Sequence, residues 1–159
     1  MKRWILFLAA LSLLLYLTGC SGQEEHNCRF YYLRTAENIR YGQENGLVAP
    51  VDREISDQNA ELNYLLQLYL EGPVEEGYVS PIPNGTYLLS ILWNEDTPVL
   101  VLSREFSAAN NITLTLCGAC LTATCHDITG AERIEVRSGD DVYHFALSDY
   151  TFVDNSNGQ

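Results

Sequence analysis

Apolar and polar positions fall into short blocks along the chain. After Lys2 and Arg3, Trp4 to Leu17 is almost unbroken apolar sequence. This run is shorter than the roughly 20 residues of a membrane span and has the length of a signal-peptide core. Ser21 to Asn27 (SGQEEHN) is small, polar and acidic, the composition of a flexible spacer. Arg29 to Leu33 is aromatic and predicts a strand. Leu47 to Ile55 predicts a second, with Pro50 pointing to a sheet edge or an irregular start. Leu62, Leu65, Leu66, Tyr69 and Leu70 recur at helical spacing, with Ser56 or Asp57 available as the cap. Gly72-Pro73 stops that helix. A loop with Gly77, Pro81, Pro83 and Gly85 follows. Thr86 to Trp93 and Pro98 to Ser103 are strongly apolar strands, joined through Asn94-Glu95-Asp96-Thr97 as a hairpin. Ile112 to Asp127 predicts a second helix. Arg133 to Arg137 alternates, with Ile134 and Val136 on one side, and Val142 to Leu147 closes another hairpin over Ser138-Gly139-Asp140-Asp141. The order β-β-α-β-β-α-β-β defines an α+β domain over 28–153, two helices on one face of a mainly antiparallel or mixed sheet. Residues 154–159 form a polar tail.

Charge narrows the partners. The 159 residues carry a formal net charge of −12. Without Lys2 and Arg3, seven Arg remain against 21 acids, a net of −14. A nucleic-acid ligand needs a basic footprint, so this surface excludes one. Anionic lipid is not attracted to it either. Apolar content of 47% with ten Tyr excludes wholesale disorder.

The leader ends in Leu17-Thr18-Gly19-Cys20, which resembles a bacterial lipobox. The resemblance implies removal of residues 1–19 and a diacylglycerol thioether on Cys20, followed by a tether over 20–27. Each buried CH₂ of an acyl chain contributes about 0.8 kcal/mol, so several chains hold a protein firmly on a bilayer. The domain then lies on the extracytoplasmic face of the cell membrane.

Four further cysteines, Cys28, Cys117, Cys120 and Cys125, include the C-x-x-C of Cys117-Gly118-Ala119-Cys120. Three readings stay open. A helix beginning at Cys117 would place a thiol at its positive end, lower its pKa and make a redox pair. No proline follows Pro98, which departs from the thioredoxin-like pattern. A zinc site would need its sulfurs to converge at about 2.3 Å from the metal. Cys117 and Cys125 lie roughly 12 Å apart along an intact helix, so the C-x-x-C would need ligands from elsewhere, such as Cys28 with His26 or His126. In the third reading Leu114, Cys117, Leu121, Cys125 and Ile128 form one apolar stripe of core thiols, with a structural disulfide from Cys28 permitted outside the cytoplasm.

Other chemistry is thin. His26, His126 and His144 are scattered, and no H-E-x-x-H, G-x-S-x-G or phosphate-binding glycine loop occurs. The acid pairs Glu75-Glu76, Glu95-Asp96 and Asp140-Asp141 fall in predicted turns, where such pairs are solvated. The residues predict no catalytic group, no metal and no cofactor.

A set of short elements, in order, resembles the GerMN domain of spore-germination and sporulation lipoproteins. Val51-Asp52-Arg53-Glu54-Ile55 is similar to that family's V-x-R-x-I/V strand. Leu65-Leu66 with Glu71-Gly72-Pro73 is similar to its helix end. Ile82-Pro83-Asn84-Gly85-Thr86 is similar to its IP-x-GT loop, Leu102-Ser103-Arg104-Glu105-Phe106 to its LS-x-x-F, and Thr129 to Ile134 to its late glycine segment. Val101 stands where the family often has Asp, and Thr129 replaces a proline. The resemblance implies a fold like the ring-building motif. It also implies a binding or assembly role rather than catalysis. Its motif residues Gly72, Pro73, Pro83, Gly85 and Phe106 read as structural. The partner expected is an envelope protein or a second copy of the chain, with the membrane reached through the N-terminal lipid.

Overall fold

A computed structural model describes residues 26–39, 46–55 and 60–151 of the chain. The leader, Cys20, Ser56, Asp57 and the 154–159 tail lie outside the described residues. Strand β1 spans His26–Arg34 and β2 spans Val48–Ile55. Helix α1 covers Leu62–Leu70, and a two-residue strand, β3, follows at Tyr78–Val79. The hairpin strands are β4 (Leu88–Asn94) and β5 (Thr97–Leu102). A 3-10 turn over Arg104–Ala108 leads into helix α2, Asn111–Thr129. Strands β6 (Arg133–Ser138) and β7 (Asp141–Ala146) then precede a last 3-10 turn over Leu147–Asp149.

The α+β class stands, but the strands form two sheets rather than one. The first has the order β2-β1-β3 and is antiparallel; the second has the order β4-β5-β6-β7. Within the second, the two hairpins are antiparallel and β5 pairs with β6 in parallel. A parallel pair needs a crossover, and α2 supplies it. Strand β2 is an edge, as Pro50 requires, with Pro50 opposite Tyr31. Strand β1 starts at His26, three residues before its aromatic run, because β2 is long enough to pair with that extension up to Ile55.

Helix α1 is capped by Glu61, without a side-chain cap bond. It buries Leu65, Leu66 and Tyr69. Tyr69 stacks on Tyr32 of β1 with ring centroids 5.0 Å apart, and the Tyr32 hydroxyl donates to the Tyr69 carbonyl at 3.0 Å. Phe30, two residues before Tyr32 on the same face of β1, completes the cluster edge-on.

Helix α2 departs from the amphipathic expectation. Every residue from Cys117 to Cys125 is buried, so no single stripe faces the core. The helix packs against β1 of one sheet and against β6, β7 and the last 3-10 turn on the other. A helix covered all round needs small side chains, and the run CGACLTATC supplies them. At buried Gly118 a Cβ would collide with the Phe145 ring and the Tyr150 hydroxyl. Thr124 Oγ1 accepts the Tyr31 N–H at 2.9 Å, so the helix satisfies part of the β1 edge that β2 leaves open.

Candidate functional site

The C-x-x-C sits inside α2, roughly two turns beyond its Asn110 cap, and not at a helix N-terminus. Cys28, Cys117, Cys120 and Cys125 are free thiols. Burial pushes Cys117 and Cys125 up to about 12. It pushes Cys120 further in the same direction. Half-buried Cys28 is pushed up to about 11 by desolvation and then by the Asp127 carboxylate. The Cys117 Sγ–H donates to the Pro81 carbonyl at 3.1 Å. A nucleophilic dithiol needs a stabilised thiolate, and this environment does the reverse. Among the described residues no group of three His, Cys, Asp or Glu side chains could hold a metal ion. No helix among them is long and apolar enough to cross a membrane.

The motif residues hold elements together. Gly72 follows the C-cap of α1 with φ +94°, a left-handed conformation that costs other residues about 1–2 kcal/mol, and Pro73 comes next. Arg53 reaches from β2 to the same helix end, donating to the Leu68 carbonyl at 3.3 Å and to Glu71 at 3.4 Å. A cation there satisfies carbonyls that the last turn leaves open. Pro83 accepts the Thr86 N–H at 3.1 Å, closing a turn in which Gly85 takes φ +83°. Phe106 is fully buried and meets Tyr143 edge-on at 5.6 Å.

Ser103 and Ser138 form a clip that sequence reasoning missed. Ser138 Oγ donates to the Ser103 carbonyl at 2.8 Å and accepts the Ser107 N–H at 3.2 Å. Ser107 Oγ donates to the Ser138 carbonyl at 2.8 Å. Ser103 Oγ accepts the Tyr87 N–H at 3.1 Å, and the Ser103 N–H donates back to the Tyr87 carbonyl at 2.9 Å. The Leu-Ser of the motif was visible in sequence; its partners, far along the chain, were not.

The surface offers a different kind of site. Strand β4 is one edge of the second sheet, β7 being the other. Its run is strongly apolar, yet Tyr87 before it and Leu89, Leu92 and Trp93 within it are exposed. Leu88 and Ile91 pack on the core, while Leu89 falls at a register shift against β5. A signal existed in the sequence: Tyr87 to Trp93 lacks the period-two alternation of a half-buried strand. A cleft of about 480 Å³ opens at one end of β4, between Trp93, Asp96, Thr97 and the Gly130–Arg133 segment. A second, of about 300 Å³, lies at the other end between Gln67, Leu70, Glu71 and Thr86–Leu88. All three acid pairs are exposed, in turns or loops except for Asp141, which begins β7.

These features define a class: a two-sheet α+β domain around a buried helix, its polar motif residues committed to internal clips and its apolar residues partly outside. The sequence matches the family Germane, described as sporulation and spore germination, over residues 29–141. The chain therefore belongs to that family. Its fold is similar to the first GerMN domain of the sporulation protein GerM from Bacillus subtilis. That match has a TM-score of 0.56 at 17% identity, covering 74% of this chain and 86% of that one. The tandem GerMN domains of the same protein match with a TM-score of 0.53 at 15% identity, covering 74% of this chain and 40% of that one. A structure titled as a putative lipoprotein from Clostridium perfringens aligns at 18% identity over 77% of this chain and 89% of that one. Its TM-score of 0.40 adds nothing to the fold assignment. No curated protein matches the sequence.

Proposed function

We propose that this chain is a lipid-anchored extracytoplasmic protein whose GerMN-type domain docks another envelope protein without catalysing a reaction. The assembly it serves is one of sporulation or germination. One observation carries the docking role: an uncharged strand, β4, stands at a sheet edge with three of its five apolar side chains in solvent. The burial of the C-x-x-C supports a non-catalytic role, since a thiolate there is disfavoured. The lipobox around Cys20 supports the anchor.

The test is the intact mass of membrane-extracted protein with thiol labelling, followed by crosslinking in the producing cell. Loss of residues 1–19 with diacylglycerol on Cys20, inert thiols and a defined heteromeric adduct are the expected results. A mature chain without lipid overturns the anchor. A labile Cys117–Cys120 disulfide overturns the non-catalytic reading. Absence of any adduct overturns the docking role.

A further inference from the structure

Sheet edges are templates for further strands, and folded proteins blunt them with proline, charge or cover. Other edges here are blunted. Strand β2 carries Pro50, Asp52, Arg53 and Glu54. Strand β3, the other edge of that sheet, is two residues long, and beyond it α2 meets β1 through Thr124. Strand β7 carries Asp141 and His144. Strand β4 reads LLSILWN, with no charge and no proline, in a chain of net charge −12. Among the described residues no strand pairs with its outer side; helix α1 packs against β4, with the last turn of α1 facing the Thr86–Leu88 end. Tyr87 and Leu89 are 57% exposed, Trp93 54% and Leu92 49%.

Backbone polarity points the same way. Asn94 pairs with Thr97 across the two-residue turn Glu95-Asp96. Antiparallel alternation from that pair turns the N–H and C=O groups of Ile91 and Trp93 outward. Each cleft adjoins one end of β4: the smaller at Thr86–Leu88, the larger at Trp93, from where it opens across β5 toward the start of β6. Thr86, in the wall of the smaller, has a buried hydroxyl with no partner. From Leu88 to Trp93 a strand rises about 17 Å, so a partner segment of roughly six residues spans the edge, with its ends beside Glu71 and beside the Glu95-Asp96 turn.

We propose that the β4 edge accepts an extended segment of a partner protein as an added strand, apolar along its length and basic at its ends. The proposal rests on the docking role above and names its surface. Glu71 lines the smaller cleft; Asp96 and Glu132 line the larger, and Glu95 neighbours it in the turn. Arg53, beside Glu71, and Arg133 offset only part of that charge. A second copy fits poorly. Antiparallel pairing of two β4 strands would bring Glu95-Asp96 of one copy beside the Glu71 end of the other, and like charges facing across an interface oppose association. Main-chain bonds supply affinity and the clefts select side chains.

The experiment uses the full chain in detergent micelles and amide hydrogen exchange read by NMR. The probes are two synthetic peptides of alternating Val and Thr, one with Arg at both ends and one with Glu. The Arg-ended peptide is expected to slow exchange at Ile91 and Trp93 by about tenfold or more. The Glu-ended peptide is expected to bind about tenfold more weakly. Trp93→Pro removes one outward donor where an edge strand tolerates proline, and Leu92→Lys adds a guarding charge without touching the backbone. Each is expected to weaken the Arg-ended peptide about tenfold. Absence of protection at β4, protection at another surface, or unchanged binding by a folded Leu92→Lys variant overturns the proposal. Protection that appears without peptide and rises with protein concentration also overturns it, by making a second copy the occupant. The peptide assay does not depend on anchoring or on the cellular partner, so those readings fail separately, in the mass and crosslinking measurements.

Discussion

Gly118 shows how closely the buried helix is fitted. Replacing a helical glycine by alanine ordinarily stabilises by about 1 kcal/mol. Here a Cβ meets the Phe145 ring and the Tyr150 hydroxyl, both on neighbouring elements. Gly118→Ala is therefore expected to destabilise by about 1–3 kcal/mol, the usual range for an overpacked core. Urea unfolding of wild type and variant measures it, and a gain in stability would show that Phe145 and Tyr150 yield freely. The sequence permitted part of this: Gly118 and Ala119 allow close packing, but nothing in their spacing says which side chains approach.

At the scale of elements, hairpins and helix ends were readable because their signals are local. Gly72-Pro73 ends α1, and Asn94–Thr97 closes β4 against β5. The division into two sheets was not readable, since it depends on β1 pairing with β3 rather than with a strand of the second hairpin. Nor was the all-round burial of α2. Its apolar stripe was real, but Thr122 and Thr124 on the other faces looked polar and lie fully inside. The serine clip belongs to this scale. Ser138→Ala removes the donor to the Ser103 carbonyl and the acceptor of the Ser107 N–H. It is expected to cost about 1–3 kcal/mol, because buried backbone groups lose partners. Thermal unfolding should show the loss, and Ser138→Thr tests whether the hydroxyl alone restores it.

For the molecule as a whole, the buried thiols and phenols make stability fall in alkali. Cys117 and Cys125 ionise near 9 in the unfolded chain and are raised to about 12 in the fold. Between those values the folded state holds more protons, so the unfolding free energy declines as pH rises. The contribution is complete below about pH 9 and is lost through about pH 12. Tyr32 and Tyr69, raised chiefly by burial, act in the same direction from pH 10 upward. Urea midpoints are expected to drop steadily across this window. Replacing Cys117, Cys120 and Cys125 together by Ala should flatten the drop; an unchanged slope would assign it to the tyrosines.

The hydrogen bond from Tyr31 to Thr124 also sets an order of events during synthesis. Strand β1 is made early, whereas α2, which covers its open side, is made only after both strands of the first hairpin of the second sheet. A growing chain that has not yet released α2 holds an aromatic strand whose second side is met only at Leu33 and Arg34, by β3. The first sheet cannot mature by itself, and contacts this distant in sequence form slowly. Until α2 emerges, the chain depends on whatever shields β1, so truncation before Asn111 should yield an aggregating fragment rather than a smaller domain.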